Sequence, residues 1–132
     1  MRYAIERNPK MLYPLFDKDC NLIAWLDPSK NIFDTDMQWI AYIAFNHIWS
    51  SCSGNWLGPI EGTVCYDTNG KVFAWNNSGS LHGKARPARP ARAVRHARPA
   101  RPARPARPAR PARPATPAGG WSSLSLNEWL NQ

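Results

Sequence analysis

Ten arginines, Arg86, Arg89, Arg92, Arg95, Arg98, Arg101, Arg104, Arg107, Arg110 and Arg113, occupy every third position of one stretch of the chain. A guanidinium stays charged at any working pH and forks onto phosphate and carboxylate oxygens. The chemistry such a series offers is therefore the binding of anions. Proline follows each of these arginines except two, where Ala93 and His96 stand instead. Proline this frequent excludes α-helix and central β-strand, and without glycine every third residue the run is not collagen. Polyproline II remains, and its three residues per turn set the guanidinium groups along one edge, about 9 Å apart. Fully extended, the segment reaches roughly 80–100 Å.

Two readings of this ladder stand side by side. As a strap it binds polyanions: nucleic acid without sequence preference and with strong salt dependence, or lipid headgroups at about 1 kcal/mol per basic residue. It carries no aromatic side chain, which speaks against base-stacked recognition of single strands. Its prolines, three apart, also suit the aromatic grooves that read polyproline II. As a spacer, grown from an expanded coding repeat, its charge only keeps it soluble and extended.

The other reactive side chains form no catalytic pattern. Asp17-x-Asp19-x-Asn21 opens like a calcium loop, but Leu22 stands where the glycine belongs and Pro28 where the glutamate belongs. Ordinary turn chemistry explains it, and no metal is expected. His47, His82 and His96 are scattered without Ser-His-Asp or Cys-His spacing, and His47, among apolar residues, reads as structural. No glycine loop is present to cradle a phosphate. Cys20, Cys52 and Cys65 are odd in number and lack C-x-x-C spacing, which disfavours a disulfide framework or structural zinc. They read as buried free thiols in a reducing compartment. The expectation is a protein that is not an enzyme and uses no cofactor.

The elements that position these residues come from a repeat. Phe16-Asp17 to Trp25, Phe33-Asp34 to Tyr42 and Tyr66-Asp67 to Trp75 are copies of one phrase, starting 17 and 33 residues apart. A fourth copy, Trp49 to Gly58, fills the gap with one extra residue and no acidic turn residue. A period this short signals a repeat architecture. Each unit reads as a β-hairpin, because Asp and Asn favour tight turns and Asn69-Gly70 is a strong hairpin signal. Four hairpins side by side close into a ring or shallow barrel with few free edges. Ala24, Ala41, Gly58 and Ala74, each near the end of its copy, suggest crowding where the units converge. A rival helix from Met37 to Trp49 would put Trp39, Ile40, Ile43 and Ile48 on one face, but the in-register match to the sister copies favours strands.

Composition divides the chain at about residue 80. Residues 1–80 hold five of the seven Trp and all the Phe and Tyr, with a net charge of about −2; residues 81–132 carry about +10. Three parts follow: a four-hairpin domain at 11–80, an Arg-Pro-Ala basic linker at 81–118, disordered or in polyproline II, and a Trp-rich C-terminal motif at 119–132. In that motif Ser125-x-x-Glu128 is a capping box for about two helical turns, too short to stand free. Trp121, Leu124, Trp129 and Leu130 are its docking anchors, either for a partner protein or for the chain's own head. The first residues lack an apolar run of signal-peptide length, and no stretch approaches the ~20 apolar residues of a membrane span. A cytoplasmic protein is expected; nothing in the sequence demands oligomerisation.

The four phrases from Phe16 to Trp75 resemble the β-flower families, in particular the four-fold β-flower domain of bacterial proteins, over about residues 11–78. The resemblance implies a shallow ring or barrel of hairpins around an apolar centre and brings no functional residue with it. A looser likeness to Tubby-like barrels, some of which bind phosphoinositides, is architectural only. The expected function is a binding or adaptor protein whose basic stalk meets anionic partners and whose Trp motif docks. The alternative is a barrel for a small apolar ligand or lipid, with Trp25, Trp39, Trp56 and Trp75 lining a central pocket and the tail a passive spacer.

Overall fold

The computed structural model describes residues 12–28, 30–79, 81 and 96–132. His82, Arg86, Arg89, Arg92 and Arg95 lie outside the described residues. Eight strands follow in chain order: β1 (Tyr13–Phe16), β2 (Leu22–Asp27), β3 (Asn31–Asp34), β4 (Trp39–Ala44), β5 (His47–Ser50), β6 (Trp56–Glu61), β7 (Val64–Tyr66) and β8 (Val72–Ala74). Each pairs antiparallel with the next. Phe16 and Trp75 exchange backbone hydrogen bonds of 2.8 and 3.0 Å, linking β1 to the end of β8. The result is a nearly closed barrel of four hairpins, or petals. The stretch from Met37 to Trp49 is strand rather than helix, and Phe45-Asn46 forms the two-residue turn between β4 and β5.

The petals share their detail. In each, the register slips at the same place: between Leu15 and Phe16, Ile32 and Phe33, Ile48 and Trp49, and Cys65 and Tyr66. A bulge there bends and twists the ribbon, as closure of a sheet requires. The turns repeat as well. Asp17 Oδ1 accepts the amides of Asp19 and Asn21, Asp34 Oδ1 those of Asp36 and Gln38, and Asp67 Oδ1 those of Asn69 and Lys71, at 2.9–3.0 Å. The third petal has Ser50 in this place, and its hydroxyl accepts the amides of Cys52 and Ser53 at 3.2 Å. The extra residue lets a shorter side chain serve the same turn. It also carries Cys52 out to solvent, so only Cys20 and Cys65 are buried thiols. This corrects the expectation of three buried cysteines.

The barrel interior is closed by the end of the chain. Beyond Gly120, residue 121 runs beside β8: Gly120 O accepts from Val72 N–H at 3.2 Å and Ser122 N–H donates to Val72 O at 2.8 Å. Helix α1 (Leu126–Leu130) follows, with both halves of the Ser125–Glu128 capping box formed. It inserts Trp129, 1% exposed, among Leu15, Leu26, Ile48, Leu57 and Phe73. Its ring stacks on Phe73, centroids 4.4 Å apart and planes 5° from parallel, and its indole N–H donates to Tyr66 O at 3.2 Å. Gln132 locks the end: Nε2 donates to Leu57 O at 2.6 Å, and Oε1 accepts from the amide and hydroxyl of Thr68, both at 3.0 Å. Ala24, Ala41 and Ala74 border this interior. At Gly58, with φ 142°, a Cβ would strike the Tyr66 carbonyl, so the third petal needs glycine where the others carry alanine.

Candidate anion-binding strap and cleft

From Pro99 to Pro114 the ladder is laid on the barrel with a three-residue burial period. Each proline is half-buried, while the arginines and alanines between are exposed. The strap is fastened at two petal tips. On the second petal, Arg101 Nη2 donates to Asp36 O at 2.7 Å and Arg104 Nη2 to Asp36 Oδ1 at 3.2 Å. On the first, Arg110 Nη2 donates to Asp19 O at 2.7 Å and Arg113 Nη2 lies 3.9 Å from Asp19 Oδ1. The Cys20 thiol points at Ala112 O, 3.9 Å away, and the His96 ring lies against Tyr42, centroids 4.3 Å apart and planes tilted by 32°. Both ion pairs are well exposed, and such pairs contribute only about 0–1 kcal/mol each. Among the described residues, Arg98 and Arg107 have no hydrogen bond or ion pair.

Between the two fastenings the strap roofs a cleft of about 470 Å³. Arg104, Pro105 and Arg107 form one wall; Asn21, Leu22, Trp25 and Thr35 of the first two petals form the other. Arg107, Asn21 and Leu22 also border a smaller cavity of about 160 Å³ toward Arg110. The sequence pattern singled out Asn21 and Leu22 only for a calcium-loop comparison that failed, and Thr35 not at all. Their signal was present only as turn positions beside a strap whose path is not readable from spacing. Asp19 and Asp36 did carry a signal: only the first two petals have a second Asp two residues into the turn, and those are the petals the strap crosses.

The four tryptophans read as pocket residues do not converge. Trp25 packs with Phe33 and Met37, and Trp39 borders that group. Trp75 packs with Phe16, Cys20 and Tyr66, and its indole donates to Asp17 O at 2.7 Å. Trp56 donates to His47 Nδ1 at 3.0 Å, which accounts for the buried histidine. Trp25 and Trp75 follow the interior Ala24 and Ala74, and successive strand residues face opposite ways; they therefore turn away from the centre, which Trp129 occupies. Of the docking anchors, Trp129 is inside the chain's own barrel, Leu124 and Leu130 pack against the same interior cluster, and Trp121 packs beside Val72. Burial pushes the Cys65 thiol up to about 12. Tyr66 is raised as well, first by burial and then by its 2.8 Å hydrogen bond to Glu61. Among the described residues no three His, Cys, Asp or Glu side chains gather to hold a metal, and no helix is long and apolar enough to cross a membrane.

Four hairpins with a common bulge and turn, closed into a barrel and plugged by a short helix, define a four-fold hairpin-repeat domain. The family model described as 4-fold beta flower protein matches residues 13–130. The chain belongs to that family. The matched span runs past the last hairpin and takes in α1, so the plug lies within the part of the chain the family describes. No curated protein and no solved structure matches the chain.

Proposed function

We propose that this is a non-enzymatic, cytoplasmic binding module in which the arginine ladder attaches an anionic surface to the β-flower barrel. The observation that carries this is the burial period of the strap. Its prolines rest half-buried on the barrel and its arginines stay exposed, four of them reaching back to Asp19 and Asp36, in the three-residue period that polyproline II would give. The prolines thus serve as scaffold, and the exposed guanidinium groups stay accessible to an anionic surface. The fastenings at Asp19 and Asp36 are exposed, so exchanging them for phosphate oxygens costs little. Free thiols at all three cysteines accord with a reducing compartment. The Trp motif supports docking on the chain's own head rather than on a partner, and the barrel centre, filled by Trp129, offers no support to an apolar-ligand reading.

The test is binding of the full chain to duplex DNA and to phosphatidylserine vesicles over a salt series through ~0.15 M, where the Debye length is about 8 Å. A variant with all ten arginines changed to Gln is the comparison. The expected result is binding that survives ~0.15 M salt, falls steeply above it and is lost in the variant; the surface preferred names the partner class. Equal binding by both proteins, or none by either, overturns the proposal.

A further inference from the structure

The two fastenings of the strap leave Arg107 spanning the gap between the first and second petals, over the 470 Å³ cleft. Its guanidinium has no partner among the described residues. Across from it lies Trp25, 4% exposed. The indole N–H groups of Trp39, Trp49, Trp56, Trp75 and Trp129 all donate hydrogen bonds, whereas among the described residues those of Trp25 and the half-buried Trp121 have no acceptor. The Trp25 nitrogen is not among the buried atoms left unpaired, so this donor is open to water or to a ligand. Two side chains that line one cavity, Arg107 and Trp25, thus carry donors without a protein acceptor among the described residues. Asn21 adds an amide whose only side-chain contact is a long one of 3.5 Å to Asp17, and Thr35 adds a hydroxyl. No carboxylate lines the space, while Leu22, Pro105 and the face of Trp25 make part of it apolar.

We propose that this cleft binds a small amphipathic oxyanion: a flat apolar body bearing a phosphate, sulfonate or carboxylate. The charged end pairs with Arg107, and with Arg104 alongside it, as guanidinium forks prefer. The body lies against Leu22 and Trp25, and the indole N–H meets an oxygen of the ligand. The volume falls within the ordinary range for small-molecule sites, about 300–1,000 Å³. The site exists because Asp36 and Asp19 hold the strap across it. This inference stands apart from polyanion attachment: it concerns a molecule of low mass, and it survives if neither DNA nor vesicles bind.

The probe is 8-anilinonaphthalene-1-sulfonate, titrated into the full chain at ~0.15 M salt and followed by its fluorescence and by the indole NMR signals. The expected result is saturable one-to-one binding that shifts the Trp25 signal, assigned by its absence in Trp25→Phe. Arg107→Gln, a change at an exposed side chain, should weaken binding about tenfold or more with a melting temperature close to the parent's, and Trp25→Phe several-fold. 1-Naphthyl phosphate should displace the probe where inorganic phosphate does not. Unchanged affinity in Arg107→Gln, a shift confined to other tryptophans, or equal displacement by inorganic phosphate overturns the proposal.

Discussion

The turn aspartates show how one atom sets a petal. Each accepts two backbone amides that would otherwise be left unpaired, and their cost of removal depends on burial. Asp67 is buried and its bonds are partly buried, whereas Asp34 is half-exposed and its bonds are open to water. Asp67→Ala should therefore cost about 2 kcal/mol of unfolding free energy, and Asp34→Ala less than 1, measured by urea titration. Phe45 shows the opposite economy. It is 63% exposed and sits with Asn46 at positive φ, 56° and 62°, in the turn between β4 and β5. Phe45→Asn fits that turn better and should raise stability by about 0.5–1 kcal/mol in the same assay. Cys65 links stability to pH. Its thiol titrates near 9 when unfolded and at about 12 when folded, so its contribution is complete below pH 9 and is lost as pH rises toward 12. Stability should fall across that window, and Cys65→Ala should reduce the slope of the fall whatever its absolute stability.

At the scale of elements, the hairpins were legible because the turn chemistry is local. Asp17, Asp34 and Asp67 announce their petals by type and spacing alone. The third petal lost that mark, and only its period and its closing residues betrayed it; that Ser50 replaces an aspartate is a fact of distance, visible once the extra residue is seen to bring two amides within reach. The strap's path was not legible, since Asp36 and Arg104 are joined by no pattern shorter than the fold. The terminal motif was legible as an anchor but not as to what it anchors on, because a Trp that fills its own barrel and one that fills a partner's groove look alike in sequence. The strap's path has a chemical readout. Thiol labelling should modify the exposed Cys52 quickly and Cys65, fully buried, slowly. Cys20, whose thiol faces Ala112, should label severalfold faster in the Asp19→Asn, Asp36→Asn double variant than in the parent, with Cys65 unchanged.

For the whole molecule, the decisive contact is between the eight-stranded barrel and the plug that follows it in the chain. Trp129→Ala removes the largest side chain of the interior and should cost about 3–5 kcal/mol, enough to consume much of a small domain's stability, read as a fall in urea midpoint. Trp129→Phe keeps an aromatic ring against Phe73 but forfeits the bond to Tyr66 O, and should cost less. The placement of this plug also gives the molecule a timetable. Phe73 and Trp129 are separated by the entire arginine–proline segment, so a ribosome moving at ~5–20 residues per second reaches the plug roughly 3–11 s after the strand it stacks on. For those seconds the nascent barrel has an apolar hollow and no side chain to fill it, with a strongly cationic stretch emerging between them.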